Sequence, residues 1–508
     1  MTNVSTTATP APPIGPAIAR TEQGLIQGVD RGGIKMFMGI RYAAAPAGDL
    51  RWRPPQPPTS WDGVKLADRF GPICPQRWLP LGPPGWEKEP QDEDCLSLNV
   101  WTAAKSTEER RPVMVWIHGG AYEIGSGSTP GYHGDTFAHA GVVLVTINYR
   151  LGTLGFLAHP DLTAESPSGA SGNYGLMDMI AALRWVKANI AGFGGDPNNV
   201  TIFGESAGGG AVMLLSASPP ARGLFHKAIA ESGAALLPRS RGYADPDSVV
   251  TLAEAEAAGT RFSAQFGTAD IEALRQVPAS EIVEKQMRGT TWPIIDGEMV
   301  RADVTALYRA GQQHDVPILI GWNDNEGALF AQQPITREDY EARTRRTWGP
   351  AAETMLALHP AADDETARRA SGELMADVAF AYSGWSLAEA QRGTGSSPVY
   401  LYHFTHEPPR PAEWPFGAAR GALHADEIGY VFGHSTPEWQ EADHRTSELM
   451  MNYWINFAKE GDPNGPGMPE WPAYAGDGTV QWIGDGRAVP GNVPRLEALQ
   501  AIERVVGG

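Results

Sequence analysis

Val200–Gly204 (VTIFG) reads as a short buried strand that runs into Gly204-Glu205-Ser206-Ala207-Gly208, and Ala211–Leu215 then reads as helix. Few patterns constrain a chain more. A G-x-S-x-G turn between strand and helix is the nucleophile elbow, whose glycines let a strained turn form without Cβ clashes. The five residues alone recur by chance as plain glycine turns, and their flanks are what give them weight. Val113–His118 and Val142–Asn148 are further buried strands, and Pro317–Gly321 and Val399–Phe404 return to strand later. Between them, Asn173–Asn189 carries Leu176, Ile180, Leu183 and Val186 at near-helical spacing, as a crossover helix should. This alternation predicts an α/β fold class, with a central mostly parallel twisted sheet flanked by helices.

From about Asp245 to Glu284, and again from about Pro334 to Gly395, the chain turns helix-periodic, which predicts helical insertions over the site. Residues 1–16, rich in Thr, Ala and Pro, are expected to be a mobile tail, and 17–508 a single catalytic domain with those insertions. With 42% hydrophobic and 19% charged residues the chain can bury a large core. A net charge of −19 argues against nucleic acid, which is bound mainly through Lys and Arg. No run reaches the roughly 18 apolar residues of a membrane span. The start lacks a basic segment followed by an apolar stretch, so a cytoplasmic enzyme is the simplest expectation; a periplasmic or secreted one follows if a leader was removed. Oligomeric state is left open.

A serine hydroxyl becomes a useful nucleophile only beside a base that is itself oriented by a carboxylate. In elbow enzymes the chain order is nucleophile, acid, histidine, which leaves His403, His406, His424, His434 and His444 as candidates. Spacing does not separate them. Upstream, Trp116-Ile117-His118-Gly119-Gly120-Ala121-Tyr122 is a strand ending in a glycine turn, suited to present backbone N–H groups to a developing oxyanion. The donors expected there are Gly120, Ala121 and Ala207. Cys74 and Cys95, the only cysteines, would close a loop of a length common for a disulfide, or else stand as two separate buried thiols in a cytosolic protein.

The segments GIRYAAAP, EDCLSLNVW, WIHGGAY, INYRLGTLGFL, NDNEGALF, LHADEIGYVFG and NYWINFAKEGDPN, with the long stretch ending in GESAGG, resemble the type-B carboxylesterases. That group contains the bacterial para-nitrobenzyl esterases and the cholinesterases, and the likeness runs from about Gly24 to about Asn464. It implies an α/β-hydrolase fold and a catalytic triad of Ser206, Glu326 and His424, with Glu in place of the commoner Asp. It places Gly120, Ala121 and Ala207 on the oxyanion donors and Cys74 and Cys95 on the family's first disulfide. Ser232 matches a serine that supports the active-site network. Glu205 has two expected roles, raising the basicity of His424 or satisfying buried donors. Trp78, Leu79, Trp86, Tyr122, Tyr132, Leu329 and Phe330 stand beside matched motifs and are expected to line the gorge, or else to be core. Cholinesterases carry an aromatic where Leu329 stands, so choline esters are not expected substrates.

The implied activity is hydrolysis of apolar or aromatic carboxylic esters, small-molecule substrates, through an acyl-enzyme, with no metal and no organic cofactor. Activity is expected to fall below roughly pH 6 to 7 as an imidazole base protonates. A carbamate or amide hydrolase would use the same triad. A non-catalytic adhesion relative would lack triad members, and a binding module would carry the elbow by accident.

Overall fold

A run such as VMVWI has no polar alternation, so it can be satisfied only in a strand covered on both faces. The computed structural model describes residues 14–77, 89–233, 250–268, 270–410 and 419–506. Its strands are β1 (Ile14–Thr21), β2 (Gly24–Arg31), β3 (Ile34–Arg41), β4 (Val64–Leu66), β5 (Ser97–Thr102), β6 (Arg111–Ile117), β7 (Val143–Ile147), β8 (Gly195–Glu205), β9 (Lys227–Glu231), β10 (Ile318–Asn323), β11 (Val399–Phe404), β12 (Thr479–Gly484) and β13 (Arg487–Asn492). They form one 13-stranded sheet in the order β1-β2-β3-β5-β7-β6-β8-β9-β10-β11-β12-β13, with β4 beside β2. From β7 through β6, β8, β9, β10 and β11 to β12 every neighbour is parallel. The edges, β1 to β5 on one side and β13 on the other, are joined to this block or to each other mainly by antiparallel pairs.

Successive side chains of a strand point to opposite faces, and β6 divides its residues accordingly. Val113, Val115 and Ile117 pack with Leu176, Ile180, Leu183 and Val186 of the helix Tyr174–Asn189. Met114 and Trp116 pack on the other face with Phe203, Phe432 and Trp454. The expected strands and crossover helix are thus present, with ends shifted by a few residues.

Strand β1 begins at Ile14, inside the tail expected to reach residue 16, because residues 14–21 pair along their whole length with β2. Residues 1–13 lie outside the described residues. The first insertion contributes helices Leu252–Ala264, Ile271–Arg275 and Ala279–Glu284 between β9 and β10, its part at 245–249 also lying outside them. The second contributes Arg337–Trp348, Ala352–Leu358, Asp364–Ala376 and Tyr382–Thr394 between β10 and β11. A disulfide joins Cys74 to Cys95. Among the described residues no helix is long and apolar enough to cross a membrane.

Candidate active site

Ser206 stands at the tip of the turn between β8 and the helix Ala207–Leu215, with φ 56° and ψ −121°, a conformation that costs a non-glycine residue energy. The surroundings hold it there. Its N–H donates to Glu231 O at 2.9 Å, and Gly210 N–H donates back to Ser206 O at 2.8 Å. A Cβ on Gly208 would lie 2.0 Å from Ile117 O, and one on Gly204 2.5 Å from the same atom, so the turn can press against the end of β6 only with glycine at both places.

The loop 421–427 brings His424 over this serine, its Nε2 2.9 Å from Ser206 Oγ. On the far side of the ring, Nδ1 is 2.6 Å from Glu326 Oε2. Glu326 follows β10 and is almost wholly buried; its other oxygen accepts Ser232 Oγ–H at 2.5 Å and Asn323 N–H at 2.7 Å. Sequence order is kept, with 206, 326 and 424 in turn. The other histidines are engaged elsewhere. His403 faces Asp324, His406 bridges Asp443 and Asp485, His434 meets His133 O, and His444 packs on Trp439.

The loop after β6 closes on the same point. A Cβ on Gly119 would fall 2.7 Å from Glu205 O and 3.1 Å from Ser206 Cβ, so this backbone lies directly against the elbow. Gly120 (φ 104°) and Ala121 (φ 55°) both take left-handed conformations, which turn the chain within two residues. Among the described residues, the N–H groups of Gly120, Ala121 and Ala207 donate to no protein acceptor. Three unpaired donors beside a serine–histidine–glutamate chain form an arrangement fitted to acyl transfer.

Residues 15–488 match the model of the carboxylesterase family. The chain belongs to that family. It is 37% identical over 496 residues to a fumonisin B1 esterase of Sphingopyxis macrogoltabida, covering 92% of this chain and 86% of that protein. It is 34% identical over 510 residues to the para-nitrobenzyl esterase of Bacillus subtilis (strain 168), covering 96% and 98%. A solved structure titled PNB esterase superposes with a TM-score of 0.81 at 33% identity, over 96% of this chain and 99% of that one. This carboxylesterase is therefore a serine-dependent carboxylic ester hydrolase with the α/β-hydrolase fold.

Beneath the serine the carboxylesterase buries four glutamates, of which the sequence reading singled out only Glu205 and Glu326. Glu205 Oε1 is 3.3 Å from His424 Nε2. Burial, with Glu326 and Glu231 nearby, pushes its carboxyl well above the usual range. Glu231 is pushed up to about 8 by burial, against the stabilising hydrogen bond from Trp454 Nε1. Glu427, buried and flanked by the other three, is raised as well. Motifs containing Glu231 and Glu427 were visible (ESG and HADE), yet nothing in one sequence says that strand register sets Glu231 beside Glu205.

The expected gorge lining divides. Phe330 is exposed, its ring 5.1 Å from that of His424, and Leu329 beside it is partly buried. Tyr132 is partly buried against Trp116 and Phe432. Tyr122 does not line an open space: its ring is fully buried against Phe156 and Trp292, because its left-handed backbone turns the side chain into the core. Trp78, Leu79 and Trp86 lie outside the described residues. Phe380, missed in sequence, packs against His424 from the second insertion. Among the described residues no cluster of three or more His, Cys, Asp and Glu fits a metal ion.

Proposed function

We propose that Ser206, His424 and Glu326 are the catalytic triad, that Gly120, Ala121 and Ala207 supply the oxyanion donors, and that the preferred esters are apolar or aromatic. The observation that carries this is the continuous path from Ser206 Oγ to His424 Nε2 at 2.9 Å and from His424 Nδ1 to Glu326 Oε2 at 2.6 Å. In the first half-reaction Ser206 Oγ bonds to the ester carbonyl carbon as its proton passes to His424 Nε2. The carbonyl π pair moves onto oxygen, where the three N–H groups stabilise it, each worth on the order of 3 kcal/mol. Collapse of the tetrahedral species breaks the ester C–O bond, and His424 returns its proton to the departing alcohol. Water then attacks the acyl-enzyme by the same route, releasing the acid and restoring Ser206. Glu326 holds the Nδ1–H throughout and so fixes the tautomer that leaves Nε2 free as base.

The exposed ring of Phe330, with Leu329 beside it, supports an apolar acyl or alcohol group next to the base. The test is a panel of esters varied separately in acyl and alcohol size, run on the wild-type chain and on Ser206→Ala, with an organophosphate adduct mapped by mass. Turnover that survives Ser206→Ala, or an adduct on another residue, would overturn the assignment. A preference for short polar esters would overturn the substrate class alone.

A further inference from the structure

The second insertion contains a break in helical regularity that the chemistry above does not use. Between Asp364–Ala376 and Tyr382–Thr394 the chain widens into a π-helical turn, Asp377–Ala381. Such turns are uncommon and cluster at functional sites. Its first residue is held from two directions. Arg495, just before the C-terminal helix Leu496–Val506, donates Nε–H to Asp377 Oδ1 at 2.8 Å and Oδ2 at 2.9 Å, and Nη2–H to Oδ1 at 2.5 Å. His359 Nε2 meets Asp377 Oδ2 at 2.8 Å, and its Nδ1 meets Met355 O at 3.1 Å. The His359 and Asp377 side chains are essentially inaccessible to solvent, while Arg495 reaches the surface.

Each residue advances an α-helix by about 100°, so a widened turn re-aims the side chains that follow it. Phe380 lies in that turn, and its ring sits 4.6 Å from the imidazole of His424 at 34°. Phe330 lies 5.1 Å from the imidazole and 5.8 Å from Phe380, so two aromatic rings pack on the base together. The helix leading into the turn also touches the acid's loop. A Cβ on Gly327 would lie 2.0 Å from Gly372 O, which puts the two backbones in direct contact.

We propose that the Arg495–Asp377–His359 clamp is a positioning device for the base: it fixes the π turn, and the turn lays Phe380 on His424 so that the imidazole stays aligned between Ser206 and Glu326. This rests on the triad reading given above. Hydrogen bonds hold only the two nitrogens of the ring, which leaves its faces to be held by packing. Phe380, almost wholly buried, is a positioning residue, and Arg495 acts only through it.

The experiment is a double-mutant cycle on the full chain, Phe380→Leu with Arg495→Lys, the second keeping the charge while losing the planar fork. Steady-state kcat and KM are measured for short-acyl and long-acyl nitrophenyl esters, together with the low-field proton resonance of the His424 Nδ1–H···Glu326 bond. Phe380→Leu is expected to lower kcat about two- to tenfold at both acyl lengths, with KM little changed, and to broaden that resonance. Arg495→Lys should do the same more weakly, and the double variant should be no slower than Phe380→Leu alone within about twofold. Multiplying effects, an unchanged resonance, or a KM shift confined to long acyl groups would overturn the proposal. Should Arg495→Lys fail to fold, Asp377→Asn, which keeps the shape at the clamp's centre, takes its arm of the cycle. His424→Ala separates the two readings: activity surviving it refutes the triad itself, whereas its loss beside a fully active Phe380→Leu refutes only the clamp.

Discussion

Glu231→Gln tests whether a buried proton under the nucleophile is a measurable charge on stability. Glu231 ends β9 at the register position of Glu205 in β8 and Gly321 in β10, fully buried, with Trp454 Nε1–H donating to its Oε1 at 2.8 Å. Glutamine keeps that acceptor and the side chain's shape while removing the titration. Burial raises the folded-state value from 4.5 to about 8. Between these limits the folded chain keeps a proton that the unfolded chain has released, so stability falls as pH rises, by about 1.4 kcal/mol per unit. The full window would amount to an upper limit of about 5 kcal/mol. The net gain of the variant over wild type, from pH 5 to pH 8, is therefore expected at about 2–4 kcal/mol. Urea unfolding of both chains at unit pH steps reads this directly, as a difference that widens with pH. Parallel curves, or a difference that narrows as pH rises, would refute the reasoning.

Ser232→Ala removes the hydroxyl that donates to Glu326 Oε1 at 2.5 Å, a buried bond to a carboxyl, and kcat should drop about tenfold to a hundredfold with KM little changed; steady-state kinetics checks this. Gly208→Ala places a methyl 2.0 Å from Ile117 O at the base of the elbow and should yield no soluble folded enzyme, measured by expression and circular dichroism. Replacing both Cys74 and Cys95 by serine opens a bridge spanning 21 residues and should lower unfolding free energy by about 3 kcal/mol in chemical denaturation.

The elbow was legible because its requirements are local: a strand, two glycines without room for a Cβ and a helix all lie within a short stretch of chain. The base was not, since His424 is 218 residues from Ser206, and nothing in its own surroundings distinguishes it from His403 or His406, which the fold commits to aspartates. Resemblance singled it out where spacing failed. Tyr122 stood between gorge and core in the sequence, because its direction depends on a positive φ rather than on its position after the glycines. Phe380 carried no signal at all, as a phenylalanine in an alanine-rich helical segment reads as core until a π turn is seen to re-aim it.

The contact between residues 327 and 372 has a practical side. No side chain cushions it, so a helix grafted in place of Asp364–Ala376 would need its own glycine at the crossing, or it would lift the acid's loop off its seat. The cover over this site is consequently not an exchangeable roof. Whoever remodels it to admit a bulkier ester also handles the alignment of the reacting groups, and a broader substrate range would come with slower turnover unless that crossing is preserved.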